Sequence, residues 1–349
     1  MKHLYLIVGL SLVFTTCKKE EKSGDSDILS MTISQSSISD YTSGPVVIDE
    51  RLNLAFAFID RKLENNDFPV NITPMFSISS GARIFPESGV SVTLEEEESL
   101  ALYVVTAEDG STSEWFVGVR GNQLPNFDFE NWYEETGLNS QPYMEPGNSA
   151  ETSVWSTANK GTSIYGIYGT EPLKMGNNTL VQITTGENNQ VPVAAGTIFT
   201  GRFDIQLAIS NPNDPSNATD FGTPFPFRPA AARFDYSYKA GPDYIKGTLI
   251  DPNNIFGGFT IEQLPGSDQL RVYVIMDIFE GENRTEIGRG VLETGNSDVI
   301  SKVVVPIVYT SDQNPTHITL MFTSSKDGNF FTGAVGSTLI VDNVELLYD

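Results

Sequence analysis

Cysteine is almost missing from this chain. Of 349 residues only Cys17 carries a thiol, so no internal disulfide can form and stability must come from sheet packing, with a bound ion as a further candidate. Histidine is nearly as scarce, at His3 and His317. Zinc sites built from clustered His and Cys are therefore excluded. A Cys–His nucleophile is excluded too, because Cys17 stands at the extreme N-terminal side. A Ser–His–Asp arrangement could use only His317, and no Gly-x-Ser-x-Gly elbow accompanies it. The Gly-rich stretch Gly328–Gly336 contains no lysine, so it is not a phosphate loop. Basic residues are few: 21 Lys+Arg stand against 45 Asp+Glu, for a formal net charge of −24. Such a surface repels phosphate backbones and argues against nucleic acid as a partner. After the N-terminus no long apolar run recurs, and amphipathic helical periodicity is hard to find.

What is present begins with an apolar run, Leu4 to Phe14, behind Met1-Lys2-His3. It is too short to span a bilayer and has the length of a signal-peptide core. Thr15-Thr16-Cys17 closes it, and the whole resembles a bacterial lipoprotein signal. That resemblance implies removal of residues 1–16 and acylation of Cys17; the alternative is an ordinary secretory signal with an incidental cysteine. Residues 17–27, including Lys18-Lys19-Glu20-Glu21, are polar and charged, as in a flexible tether. A lysine followed by acidic residues after the cysteine resembles the surface-export signal of Bacteroidetes lipoproteins. This implies a lipid-anchored protein on the outer face of the outer membrane.

Strand-type patterning dominates the rest. The expected fold is all-β: an N-terminal immunoglobulin-like β-sandwich over residues 28–120, then a larger jelly-roll β-sandwich over 124–349. In the first block Leu100–Ala107 and Thr112–Val119 flank Glu108-Asp109-Gly110-Ser111, a strong hairpin signal. Trp115, Val117 and Val119 share one face and should enter a core. Tyr103-Val104-Val105-Thr106-Ala107-Glu108-Asp109-Gly110-Ser111-Thr112 with Trp115 resembles the small immunoglobulin-like modules of Bacteroidetes surface lipoproteins, which space a functional domain from the membrane. The acidic run Glu95–Glu98 reads as a solvated loop or strand edge. Gly121-Asn122-Gln123-Leu124-Pro125 reads as a linker.

Three stretches of the second block carry a further resemblance. They are Phe127-Asp128-Phe129-Glu130-Asn131-Trp132 with Trp155-Ser156-Thr157-Ala158-Asn159; Gly222–Pro229 with Phe234–Lys239; and Ser324–Leu339 with Asp342-Asn343-Val344-Glu345-Leu346. Together they resemble the Bacteroidetes lipoprotein family known as the putative carbohydrate metabolism domain. The resemblance implies a jelly roll like that of carbohydrate-binding modules, and a surface lipoprotein that binds or helps process glycans. In such modules a Glu near the first strand and an Asp near the last often share a structural calcium. Glu130 and Asp342 are the matching positions, with two ordinary polar residues at strand ends as the alternative.

Sugar rings are held by aromatic plates and fixed hydrogen-bonding groups. Trp132, Tyr133, Tyr143, Trp155, Tyr165 and Tyr168 cluster in a Gly-, Asn- and Ser-rich region. The candidate ligand-binding residues are Tyr165, Tyr168, Tyr143, Trp132 and Arg228, while Trp155 is expected in the core. Any of these rings could instead be core, and Arg228 could pair internally with Asp235. Glycan binding without catalysis is the favoured reading. A glycoside hydrolase or lyase, or a protein-binding adhesion component, are the alternatives. Hydrolysis needs only two carboxylates, and the sequence does not select a pair from 45.

Overall fold

The computed structural model describes residues 22–38, 44–203, 219–251, 254, 257–281 and 283–349. Cys17 and the expected signal segment lie outside the described residues. Among those described, no helix is long and apolar enough to cross a membrane.

The first block is built from two sheets. Ile28–Ser36, Val70–Ile78 and Val92–Leu94 form one; Val46–Asp49, Leu54–Phe58, Thr112–Arg120, Ala101–Thr106 and Arg83–Phe85, in that order, form the other. The Asp109–Gly110 turn is made as the sequence predicts. Gly110 takes φ +97°, and the Asp109 carboxylate accepts bonds from the Ser111 amide and hydroxyl. Trp115, Val117 and Val119 are buried in one core. The indole of Trp115 donates to the Ser26 carbonyl, and the Asp109 amide donates to the Ser23 carbonyl. The end of the expected tether is therefore bonded to the block from Ser23 onward. Backbone carbonyls make both bonds, so side-chain polarity did not reveal them.

The second block is a larger sandwich. One eight-stranded sheet runs Trp155–Thr157, Thr197–Phe203, His317–Thr323, Leu270–Glu280, Asn283–Thr294, Val308–Tyr309, with Thr219–Phe221 and Thr223–Pro224 paired alongside. A five-stranded sheet runs Thr170–Met175, Asn178–Thr184, Thr338–Leu347, Ala231–Lys239, Ser297–Pro306. Alternating residues of both sheets meet between them: Val272, Val274, Ile318, Leu320 and Phe322 share a core with Val181, Ile183, Phe234 and Val341. Phe234 and Phe322 pack edge-on at 5.0 Å. Each such buried side chain contributes about 1.5–3 kcal/mol. A three-stranded sheet (Phe259–Gln263, Tyr244–Leu249, Thr332–Ala334) and the hairpin Trp132–Thr136 with Pro142–Pro146 complete the block.

The two blocks share apolar packing. Leu54–Phe58 is buried at every position. Ala55 and Ala57 face the first core, while Leu54, Phe56 and Phe58 join the core of the second block. Phe58 packs on Phe225 and Phe227 at 6.5 and 5.9 Å. A continuous apolar strand is what burial on both faces requires. Gly118 completes the contact, because a Cβ there would lie 2.8 Å from Leu100 Cδ2 and 2.9 Å from the Phe56 ring.

The segment Gly121–Pro125 is likewise held in place. Leu124 is buried, and Gln123 bonds both ways with the backbone of Leu346. The acidic run is not wholly solvated either. Glu98 is buried and accepts from the Asn148 amide, close to the buried Arg120. Burial raises the Glu97 carboxyl to about 7, with the charge of Glu98 adding to the rise.

Candidate functional site

The hairpin Trp132–Thr136 with Pro142–Pro146 organises the site. Its turn closes with the Gly137 amide donating to Gln141 O, and Ser140 adopts φ +62°. The register sets Tyr143 opposite Glu135 and Glu145 opposite Tyr133. Because side chains alternate along a strand, these four share one face. Against them lies the segment from Trp155 to Thr170. Asn159 is buried, and its amide both donates to the Thr170 carbonyl and accepts from the Thr170 amide. Between these points a short helix, Asn159–Thr162, and a 3-10 turn, Ser163–Tyr165, end at Gly166, whose φ of +68° redirects the chain. This clamp brings Tyr168 onto Tyr143. The rings stack at 5.6 Å and 23°, and the Tyr168 hydroxyl donates to Asn139 Oδ1 at 2.7 Å. A cleft of about 370 Å³ opens beside them, lined by Glu134, Tyr143, Met144, Asn159, Tyr168 and Glu171 among others.

Glu145 is the chemically unusual group. It is 5% exposed, its Oε1 accepts from the Thr157 hydroxyl at 2.6 Å, and its Oε2 has no partner. Burial raises its carboxyl to about 8, outweighing the Thr157 bond, so it carries a proton at neutral pH. Glu135 on the same face lies 3.7 Å from Lys160 Nζ, and both side chains reach solvent. The Tyr133 and Tyr143 phenols are pushed upward, by burial first and then by the charges of Glu145 and Glu135.

Of the expected ligand residues, Tyr143 and Tyr168 come together and the others stand apart. Tyr165 packs on a small cluster of Ile167, Val191 and Ala194. Trp132 leans on the main core and donates from its indole to Phe129 O at 2.7 Å. Trp155 is core, as expected, with its indole on the Pro125 carbonyl. Arg228 does not pair with Asp235. It donates to the carbonyls of Ser311 and Gln313 and lies 4.0 Å over the Tyr309 ring, while Asp235 accepts from Asn343.

Glu130 and Asp342 both meet the start of the strand Asn178–Thr184. Glu130 accepts from the Thr179 amide; Asp342 accepts from the side chains of Asn178 and Asn343 and the amide of Asn343. Burial raises the Asp342 carboxyl, with Glu130 and Asp128 adding to the rise. Among the described residues no three His, Cys, Asp or Glu side chains gather as metal ligands. The bonds made by Glu130 and Asp342 form a hydrogen-bonded tie between strands.

Sequence reasoning missed Glu135, Glu145, Asn159 and Lys160. One signal was available: Tyr133-Glu134-Glu135 and Tyr143-Met144-Glu145 repeat a Tyr-x-Glu pattern on either side of a turn.

Residues 128–347 match the family described as "Putative carbohydrate metabolism domain". The chain belongs to this family. Among solved structures, the chain is similar to a putative glycoside hydrolase from Bacteroides thetaiotaomicron, at 24% identity and a TM-score of 0.54. That likeness covers 95% of this chain and 99% of the other. It is similar also to a putative glycoside hydrolase from Bacteroides vulgatus, at 23% identity and a TM-score of 0.52, over 64% of this chain and 97% of the other. At these identities the likeness speaks for the fold. No curated protein matches the chain. The family's carbohydrate theme and the all-β sandwich agree with the sequence expectations.

Proposed function

We propose that the protein binds uncharged glycans in the cleft beside Tyr143 and Tyr168, as a lipoprotein anchored through Cys17 and displayed at the cell surface. The stacked tyrosine pair at the cleft wall carries this reading. Tyr143 is buried and backs the partly exposed Tyr168 ring, which offers an apolar plate for a sugar face, while Glu134 and Glu171 at the lining accept sugar hydroxyl hydrogens. The Tyr168 ring is held by the Asn139 bond, so little freedom is lost when a sugar settles on it. The carboxylate lining and the net charge of −24 disfavour uronic or sulfated chains. Membership of a carbohydrate-metabolism family supports the theme.

The test is affinity electrophoresis of the protein through neutral and acidic polysaccharides. Retardation by a neutral polymer, weakened about tenfold in Tyr168→Ala, supports the reading. No retardation by any polymer, or retardation only by acidic ones, refutes it.

A further inference from the structure

We infer that the cleft selects glycans whose hydroxyl groups are free, with the Tyr143 hydroxyl as its side-chain donor, and rejects the same chains when they are O-acetylated or O-methylated. This rests on the glycan-binding reading above and names the substrate class of that site. The wall of the cleft is rich in hydrogen-bond acceptors and poor in donors. Glu134 and Glu171 line it, both are exposed, and neither bonds or pairs with another described residue. As carboxylates they accept and do not donate. Tyr168 adds a third acceptor. Its hydroxyl proton is committed to Asn139 Oδ1 at 2.7 Å, which leaves the lone pairs of the oxygen.

The donors at the wall are mostly spent inside the protein. Asn159 is 1% exposed; its Nδ2 donates to the Thr170 carbonyl at 2.6 Å and its Oδ1 accepts from the Thr170 amide. The Thr170 hydroxyl donates to the Thr197 carbonyl at 3.1 Å. Pro142 and Pro172 also line the cleft, and proline has no amide N–H. No described lysine or arginine lines it. Tyr143 is the exception. It is 6% exposed and walls the cleft, yet its hydroxyl bonds to no described residue and is not sealed from solvent. A phenol keeps its proton at neutral pH and can donate.

A free sugar hydroxyl suits such a wall, because it brings its own hydrogen to each carboxylate. An O-acetyl or O-methyl group removes that hydrogen. It sets an ester or ether oxygen against a carboxylate oxygen, acceptor facing acceptor, and both lose water without a bond in return. Sites that hydrogen-bond a ligand hydroxyl reject analogues lacking it for this reason. The single phenol donor can meet one ligand oxygen and cannot compensate at the two carboxylates.

The experiment runs the full chain in affinity electrophoresis through native β-glucan, xylan, mannan and galactan. Each polymer that retards it is then compared with partly O-acetylated and O-methylated preparations of the same polymer. The expected result is retardation by a native polymer, weakened about tenfold by substitution. Tyr143→Phe keeps the ring and loses the hydroxyl, so affinity for the native polymer should fall about tenfold with unchanged melting. Glu134→Gln combined with Glu171→Gln keeps side-chain size and adds N–H donors. In this double variant the preference for the native polymer should shrink about threefold or more, which simple steric exclusion of the added groups would not produce. Equal retardation by native and substituted polymer overturns the inference and leaves the binding reading standing. A preference unchanged in the double variant, or wild-type affinity in Tyr143→Phe, also overturns it. Absence of retardation by every native polymer overturns the two together.

Discussion

His317 Nε2 lies 2.9 Å from Asp49 Oδ2, joining a strand of the second block to a strand of the first. Both side chains are at most 2% exposed. Arg51 grips the same carboxylate through Nε and Nη2, reaches Asp220 with Nη1, and lies 3.9 Å over the Phe279 ring. Thr316 completes the histidine's bonding at Nδ1, 2.8 Å away. A neutral ring that donates from Nε2 to a carboxylate must accept at Nδ1, which suits the Thr316 hydroxyl. His317 thus serves the junction between the blocks.

This junction should make stability depend on acidity. Burial lowers the His317 pKa despite the favourable bond and charge of Asp49. The unfolded chain therefore binds a proton near pH 6.5 that the folded chain refuses, so stability falls as pH drops below that value. For Asp49, burial alone would raise the carboxyl, but the His317 and Arg51 interactions together lower it. Its contribution is present above the ordinary carboxylate range and is lost only in stronger acid. His317→Gln should cost about 1.5–3 kcal/mol at pH 7.5, the worth of a bond to a charged group. The gap to wild type should narrow as pH falls to 5. Thermal melts across that range check it, and a constant gap refutes the histidine's role.

Glu145 should act in the opposite direction. Its folded pKa of about 8 lies above the ordinary carboxyl value, so the folded state holds the proton more firmly. Its contribution is complete below pH 4.5 and disappears as pH rises to about 8. Glu97, raised to about 7, adds a loss of the same sign. Glu145→Gln keeps a neutral side chain at every pH. Its stability relative to wild type should therefore improve steadily between pH 5 and 8.5. Denaturant titrations at several pH values measure this, and parallel curves for the two proteins would remove the buried-proton argument.

Different physical signals made different parts legible from sequence. Alternation and an Asp-Gly turn placed Trp115, Val117 and Val119 in a core, where they are. Aromatic clustering in a polar, glycine-rich stretch found Tyr143 and Tyr168, which stack. It could not separate them from Tyr165, because the difference lies in which long-range neighbour each ring meets. Arg228 looked poised for a carboxylate, but backbone carbonyls satisfy it, and carbonyls leave no mark in composition. Leu54-Ala55-Phe56-Ala57-Phe58 reads as any buried strand, so its service to two cores was hidden. Glu98 read as solvated because charge runs usually are; only the fold brings Arg120 and the Asn148 amide to it.

Shared packing should make the two blocks melt together. Phe58 is fully buried between Phe225 and Phe227. Phe58→Ala removes a ring from a close-packed junction and should cost about 3–5 kcal/mol. Calorimetry should give one transition for the wild type, and a lower or split transition for the variant. A variant melting like wild type would show that the junction contributes little.

On the proposed lipid anchor, membrane attachment should depend on Cys17. Cys17→Ser should move the protein from the membrane to the soluble fraction, because acyl chains supply the anchoring energy. Cell fractionation and labelling with a fatty-acid analogue check this. Persistence of the serine variant in membranes would refute the lipid anchor.

The three aromatic positions Trp155, Tyr165 and Tyr168 should separate folding from binding. Trp155 is buried against Phe129 at 5.0 Å, with its indole bonded to the Pro125 carbonyl. Trp155→Ala should therefore cost about 3–5 kcal/mol and disturb binding only by unfolding the domain. Tyr165 covers a small satellite cluster away from the cleft wall. Tyr165→Ala should lower the melt modestly, because few apolar neighbours lose contact, and should leave glycan affinity alone. Tyr168 is partly exposed, stacks on Tyr143 and is tied to Asn139. Its removal deletes the accessible ring of the pair and unties the turn at Asn139, so affinity should fall about tenfold with little change in melting. Tyr168→Phe keeps the plate and loses only the Asn139 bond, so it should retain most affinity. Paired melting and affinity measurements on these four variants decide the placement. If Tyr165→Ala loses affinity while Tyr168→Ala keeps it, the glycan sits on the satellite cluster and the stacked pair is structural.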